Sequence, residues 1–274
     1  MGHGRVLLLP MPEIAQAGFR EFLPSTNQAL AELEEATGKP VLILEEPELN
    51  VAATFRRARA GQASHVLRRK SGSDPIADYL ITFECRMALR EPKPAGTGEG
   101  RQAMGERRDI KERVIQEVEA LYPQMAPAKA MELGAFLLQG LMLQLRSMGP
   151  GMGVDRWIRQ HCLDLHQGQE RLITSQINDN VGALQAGSRG QFPKVVYDAS
   201  VGMNAAYAVF GGDLLGKPFL AVPYLSQGYG ALARELIGLS LPDGEADLSD
   251  QTIIDGWAKA LKLQGWYDWV VVTD

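Results

Sequence analysis

The chain has 274 residues, 45% hydrophobic and 22% charged, with a formal net charge of −5. That length suits one large domain or two small ones, enough to bury about three quarters of the unfolded surface, and the composition excludes whole-chain disorder. The acidic balance argues against a general nucleic-acid coater or a polybasic membrane binder, leaving room only for a local basic face.

In chain order, the apolar stretch Val6 to Leu9 is too short for a signal-peptide core, and no later run reaches the roughly 18 residues that span a bilayer. Pro12 to Leu23 reads as a short helix with Ile14, Ala15, Phe19 and Phe22 near one face, interrupted by Pro24. Ser25 and Gln28 form a capping-box pattern opening a second helix, with Leu30, Leu33 and Ala36 as its apolar face and Gly38 at its end. Val41 to Leu44 is a predicted strand, and Ala52 to Phe55 and Ser64 to Arg69 are two more, joined through Gly61. Asp74-Pro75 starts a helix to about Arg90, because aspartate caps and proline at the first helical position needs no N–H partner. Ile76, Leu80, Phe83, Met87 and Cys85 are its expected core residues. Glu91 to Gly105, rich in Gly, Pro and charge, reads as a loop or linker.

The remainder is mostly helical. Helices are expected over 107–121, 126–148, 154–165, 169–184, 200–215, 226–239 and 251–263, with Gly149-Pro150-Gly151 as a hinge between the second and third. Phe219 to Val222 reads as a short strand, and Trp266-Tyr267-Asp268-Trp269 as an aromatic tail closing over the last helix. The fold class is α+β and mostly helical, with a small sheet in the first third. Two regions are expected, 1–95 with the sheet and a helical 106–274 packed on it, which also suit one continuous domain. Cys85 and Cys162 lack CxxC spacing and read as reduced thiols, pointing to a cytoplasmic protein.

The segment Tyr79-Leu80-Ile81-Thr82-Phe83-Glu84-Cys85-Arg86-Met87-Ala88-Leu89 carries the functional argument. A helix, a strand after Gly-Lys-Pro, a small sheet and then this helix make an order that resembles small zinc metallopeptidases of the ImmA/IrrE type, over residues 26–90. That family carries His-Glu-x-x-His on the corresponding helix, where two imidazoles one turn apart bind zinc and the glutamate activates its water. Here the ligand positions hold Phe83 and Met87. A phenyl ring has no lone pair to give, a thioether suits catalytic zinc poorly, and only Glu84 persists, in the general-base position. The resemblance therefore implies a degenerate, peptidase-like scaffold with no metal site and no cofactor, acting through a protein partner in bacterial stress response or phage defence. An amphipathic core helix would present the same residues, and under both readings Phe83 and Met87 are packing residues.

Other candidates are weaker. Arg56, Arg57, Arg59, Arg68, Arg69 and Lys70 form the clearest basic stretch, a candidate contact for nucleic acid or another phosphate-bearing partner if they share one exposed ribbon; otherwise they are a solvated hairpin. With Glu84 and Arg86 they are also the candidate members of an enzyme site assembled from distant residues. His161, Cys162, Asp164 and His166 cluster, but the histidines, five apart, point about 140° away from each other on a helix. Asp155 and Arg159 are spaced to pair on one helix face. Trp266 and Trp269 are candidate interface residues.

Overall fold

The structure, a computed structural model, describes residues 22–59, 61–70, 74–90, 101–185, 187–242 and 248–272. The expected 12–23 helix and most of the 91–105 loop therefore lie outside the described residues. The first unit is helix α1 (Pro24–Thr37), strands β1 (Val41–Glu45), β2 (Ala53–Arg56) and β3 (His65–Arg69), and helix α2 (Pro75–Arg90). α1 opens at Pro24, its first residue, rather than at Ser25, and Ser25 is not its cap. The cap comes from far away: Asp164 accepts hydrogen bonds from the Ser25 N–H at 3.0 Å and the Ser25 hydroxyl at 2.5 Å. Gly38 ends the helix as expected, in the left-handed region at φ 66°.

β3 lies between the other strands, parallel to β1 and antiparallel to β2. This register aligns Ile43, Leu67 and Phe55 in one row across the sheet, and all three pack with Leu30, Leu33, Ile81 and Cys85 beneath α1 and α2. It also sets Glu45 beside Arg69, whose guanidinium pairs with it at 2.9 Å.

The remaining elements are β4 (Arg101–Glu106), α3 (Arg108–Leu121), α4 (Pro127–His161), α5 (His166–Val181), α6 (Lys194–Leu215), the single turn α7 (Val222–Leu225), α8 (Gly230–Ser240), α9 (Asp250–Ala260) and β5 (Tyr267–Val272). α4 is continuous over 35 residues, about 50 Å, and the hinge expected at Gly149-Pro150-Gly151 does not form. Pro150 withholds one N–H from the helix, but its neighbours gain packing that side chains would block. A Cβ at Gly149 would fall 2.7 Å from Ile253 and 3.0 Å from the Trp257 ring, both on α9; one at Gly151 would fall 3.0 Å from the Phe83 ring. The main core forms around α4, α6, α8 and α9, with Trp257 fully enclosed and its indole N–H donated to the Leu236 carbonyl at 2.9 Å.

Two further expectations are corrected. Pro218–Ala221 is a 3-10 helix rather than a strand, entered through proline and leading directly into α7. Residues 101–105 are not loop: β4 pairs antiparallel with β5, joining Arg101 to Val272 and Glu106 to Tyr267. The aromatic tail is thus a strand from Tyr267 onward. The class remains α+β and mostly helical, with the three-stranded sheet in the first third. No described helix is long and apolar enough to cross a membrane.

Candidate functional site

α2 is held between two apolar surfaces. Ile81, Cys85 and Ala88 face the sheet and α1, while Tyr79 together with the partly buried Leu80, Phe83 and Met87 packs on Val154, Ile158 and Leu165. The expected core face was therefore only half of the buried surface. Asp74 caps the helix by accepting from the Ile76 N–H at 3.0 Å, and the Arg57 guanidinium donates to the Ala88 carbonyl at 3.1 Å near its other end. The N-terminus of α5 crosses α2 so closely that a Cβ at Gly168 would lie 2.0 Å from the Pro75 carbonyl oxygen.

Phe83 and Met87, the positions that the resemblance would make zinc ligands, thus lie in a packed helix crossing. Phe83 rests on Gly151, whose lack of a side chain makes room for the ring. Neither residue suits zinc chemically, and α4 covers this face of α2. Glu84 is partly buried; burial pushes its carboxyl above the usual carboxylate range, with Arg146 opposing the shift. Arg86 is directed elsewhere, ion-paired to Glu32 at 2.7 Å, with its guanidinium carbon 3.7 Å from the Trp157 ring centroid. Glu84 and Arg86 therefore answer to different partners. Cys85 is enclosed, its thiol pushed up to about 12 by burial, which leaves it a packing group rather than a nucleophile.

A buried polar network lies at the same crossing. Asp155 of α4 is 1% exposed and accepts from the hydroxyl of Tyr79 on α2. The Tyr207 hydroxyl of α6 lies 3.4 Å from the second Asp155 oxygen and 3.3 Å from Gln176, while Gln169 of α5 donates to the Asp155 main-chain carbonyl at 2.8 Å. Four helices meet on one carboxylate. Burial pushes the Asp155 carboxyl up to about 6 although the hydroxyls and the Gln169 amide favour its charged form, and the two tyrosines are driven well above the ordinary phenol range. The expected pairing of Asp155 with Arg159 does not occur. An aspartate beside Val154 and three residues before Ile158, inside an apolar helix, was the one sequence signal of this network.

The basic stretch does not form a single ribbon. Arg69 points inward, paired to Glu45 and set over the Phe22 ring; Arg68 pairs with Glu46 at 2.9 Å; Arg57 reaches back to α2. Arg56, Arg59 and Lys70 are exposed. His65 is buried and held by two hydrogen bonds. Its Nδ1 accepts from the Ala58 N–H at 3.1 Å, and its Nε2 meets, at 2.9 Å, the Thr37 hydroxyl, whose own proton goes to Leu33.

The histidine cluster is also spent locally. His161 bonds the Trp157 carbonyl and His166 the Arg159 carbonyl, each at 2.8 Å, while Asp164 caps α1. Among the described residues, no group of three His, Cys, Asp or Glu side chains converges as a metal site would require. Trp266 is only 4% exposed, under the Arg113 guanidinium, and Trp269 is half-buried with its indole N–H donated to Asp255 at 3.0 Å. Asp255 also accepts from the Tyr267 hydroxyl at 2.6 Å, so α9 anchors the tail. The larger exposed apolar side chains lie elsewhere, among them Phe136 at 70% and Leu143 at 53%, seven residues apart on α4.

No protein-family model, curated protein or solved structure matches this chain.

Proposed function

We propose that this chain is a peptidase-like protein of ImmA/IrrE descent that has lost its zinc chemistry and acts in the bacterial cytoplasm by binding a protein partner, in stress response or phage defence. The order α1, β1, β2, β3, α2, with a small mixed sheet under both helices, supports the resemblance. Two buried free cysteines suit a reducing compartment.

One observation carries the reading. Phe83 and Met87 occupy the ligand positions and are packed under α4, with the Phe83 ring fitted to Gly151, so the would-be catalytic face of α2 is an internal helix contact. A protein partner is favoured over nucleic acid because Arg57, Arg68 and Arg69 are engaged within the fold, whereas Phe136 and Leu143 are large apolar side chains left exposed on one face of α4.

The test compares wild type with the double variant Phe136→Glu, Leu143→Glu as bait in the native host. A stoichiometric protein partner held by wild type and lost by the variant, with unfolding temperatures matched, is the expected result. Chelator-sensitive peptide hydrolysis by homogeneous wild type contradicts the reading.

A further inference from the structure

The exposed side of α4 carries a pattern of its own. Glu132, Phe136, Gln139, Leu143 and Arg146 are all exposed and follow one another at alternating steps of four and three residues, which lays them along one face of the helix. Gly134, Leu138, Leu141 and Leu145, on the opposite face, are buried. Phe136 and Leu143 are the apolar members, and Glu132 and Arg146 bracket them with opposite charges. Neither charged group has an ion-pair partner among the described residues, and Arg146 acts on Glu84 only through its field. Gly140 sits in the middle of this stretch. A Cβ there would meet nothing within 4 Å, so the chain's own packing does not call for a glycine, whereas that residue costs a helix interior about 1 kcal/mol relative to alanine. What it does allow is the close approach of a second backbone.

The face is complementary to itself in one orientation. Laid antiparallel on a second α4, with a two-fold axis passing between Gln139 and Gly140, Phe136 of each copy comes opposite Leu143 of the other. Glu132 of each copy then comes within one residue of standing opposite Arg146 of the other, an offset that two long side chains span. The open surface over Gly140 leaves room beside this axis for the Phe136 ring of the other copy. A parallel pair would instead set Glu132 against Glu132 and Arg146 against Arg146, which like-charge repulsion opposes.

We infer that the occupant of this face is a second copy of the chain, in an antiparallel two-fold dimer through α4. The inference rests on the reading that Phe136 and Leu143 bind a protein partner, and it names that partner. The contact is one helix from each copy, at the small end of specific interfaces, so the dimer is reversible and concentration-dependent, with a Kd on the order of 10 µM.

Sedimentation equilibrium of the purified chain over a range of concentrations reads the association. Wild type is expected to pass from monomer to dimer, and Phe136→Glu to remain monomeric. Gly140→Leu, which fills the space over the glycine while favouring the helix, is expected to weaken the dimer about tenfold or more, with the unfolding temperature of dilute protein unchanged or raised. A charge exchange then separates pairing between copies from any effect within one. Glu132→Arg alone and Arg146→Glu alone are each expected to weaken self-association about tenfold. An equimolar mixture of those two variants is expected to form a mixed dimer about as tight as that of wild type, because opposite charges meet at both ends only between unlike copies. Wild type that is monomeric at every concentration overturns the inference, as does a dimer that Phe136→Glu leaves intact, or a mixture that associates no more tightly than its components. If purified wild type stays monomeric while the bait captures a different protein through Phe136 and Leu143, the second copy is the wrong occupant and the partner-binding reading stands. If neither self-association nor capture occurs, both fail.

Discussion

Replacing Gly168 by alanine tests how firmly α2 is seated. The new Cβ would lie 2.0 Å from the Pro75 carbonyl oxygen and 2.6 Å from its carbon, where an ordinary carbon–oxygen approach is about 3.3 Å. The helices must separate by about 1 Å, and since the clash is with backbone, no rotamer relieves it. Overpacking of this kind costs about 1–3 kcal/mol, and a backbone clash belongs at the upper end; the better helix propensity of alanine returns up to about 1 kcal/mol. The net loss is about 2 kcal/mol, or a fall in unfolding temperature of about 4–8 °C for a chain of this size. Gly140→Ala is the internal control, because a Cβ there meets nothing within 4 Å, so the propensity gain stands alone and stability rises. Thermal unfolding followed by circular dichroism reads both. If Gly168→Ala is as stable as Gly140→Ala, the crossing is not as close as described and the reasoning fails.

Three other predictions follow from the buried titratable groups. Asp155 holds its proton up to about pH 6 in the fold but only to about 3.8 when unfolded, so its own contribution to stability is greatest in acid and falls by about 3 kcal/mol as pH rises from roughly 4 to 6; in urea unfolding, the stability of wild type relative to Asp155→Asn should fall across that range. His65 has the opposite sign: burial first, then Arg57 and Lys39, lowers its pKa, so its contribution is present above the unfolded value near 6.5 and is lost as pH falls below it, and His65→Gln should flatten that acid-side loss. Glu84→Gln removes a carboxylate that burial disfavours, and is expected to leave the melting temperature at pH 8 unchanged or raised; a marked fall would show that its charge is needed for the fold.

Local signals in the sequence reached the first unit well. Pro40 and the branched run from Val41, the Asp74-Pro75 start and Gly38 each act through their own backbone, so helix and strand positions there follow from neighbouring residues. Most of the failures are cases where a distant residue decides. Gly149-Pro150-Gly151 reads as a break, yet Trp257, Ile253 and Phe83 fill the space its glycines leave and the helix continues. β5, Tyr-Asp-Trp-Val-Val-Val, carries a legible strand signal that a reading of it as a tail passed over, while β4, Arg-Gln-Ala-Met-Gly-Glu, carries a weak one and exists through its pairing with β5 across about 160 residues of chain. At the candidate site, the absence of imidazoles was readable in residues 83 and 87. That α4 would cover them and that Asp155 would gather two tyrosines depend on which helices cross. Asp164 shows the same limit: grouped by sequence with possible metal ligands, it caps a helix that begins 140 residues earlier.

The central claim is that α2 presents packing residues, not metal ligands, to the rest of the protein. Its most direct test is the zinc content of homogeneous protein produced in zinc-supplemented medium, measured by atomic emission alongside hydrolysis of an unfolded protein substrate with and without chelator. The account predicts no stoichiometric zinc and no hydrolysis that the chelator stops. One tightly held zinc per chain, released together with a peptidase activity, would contradict it.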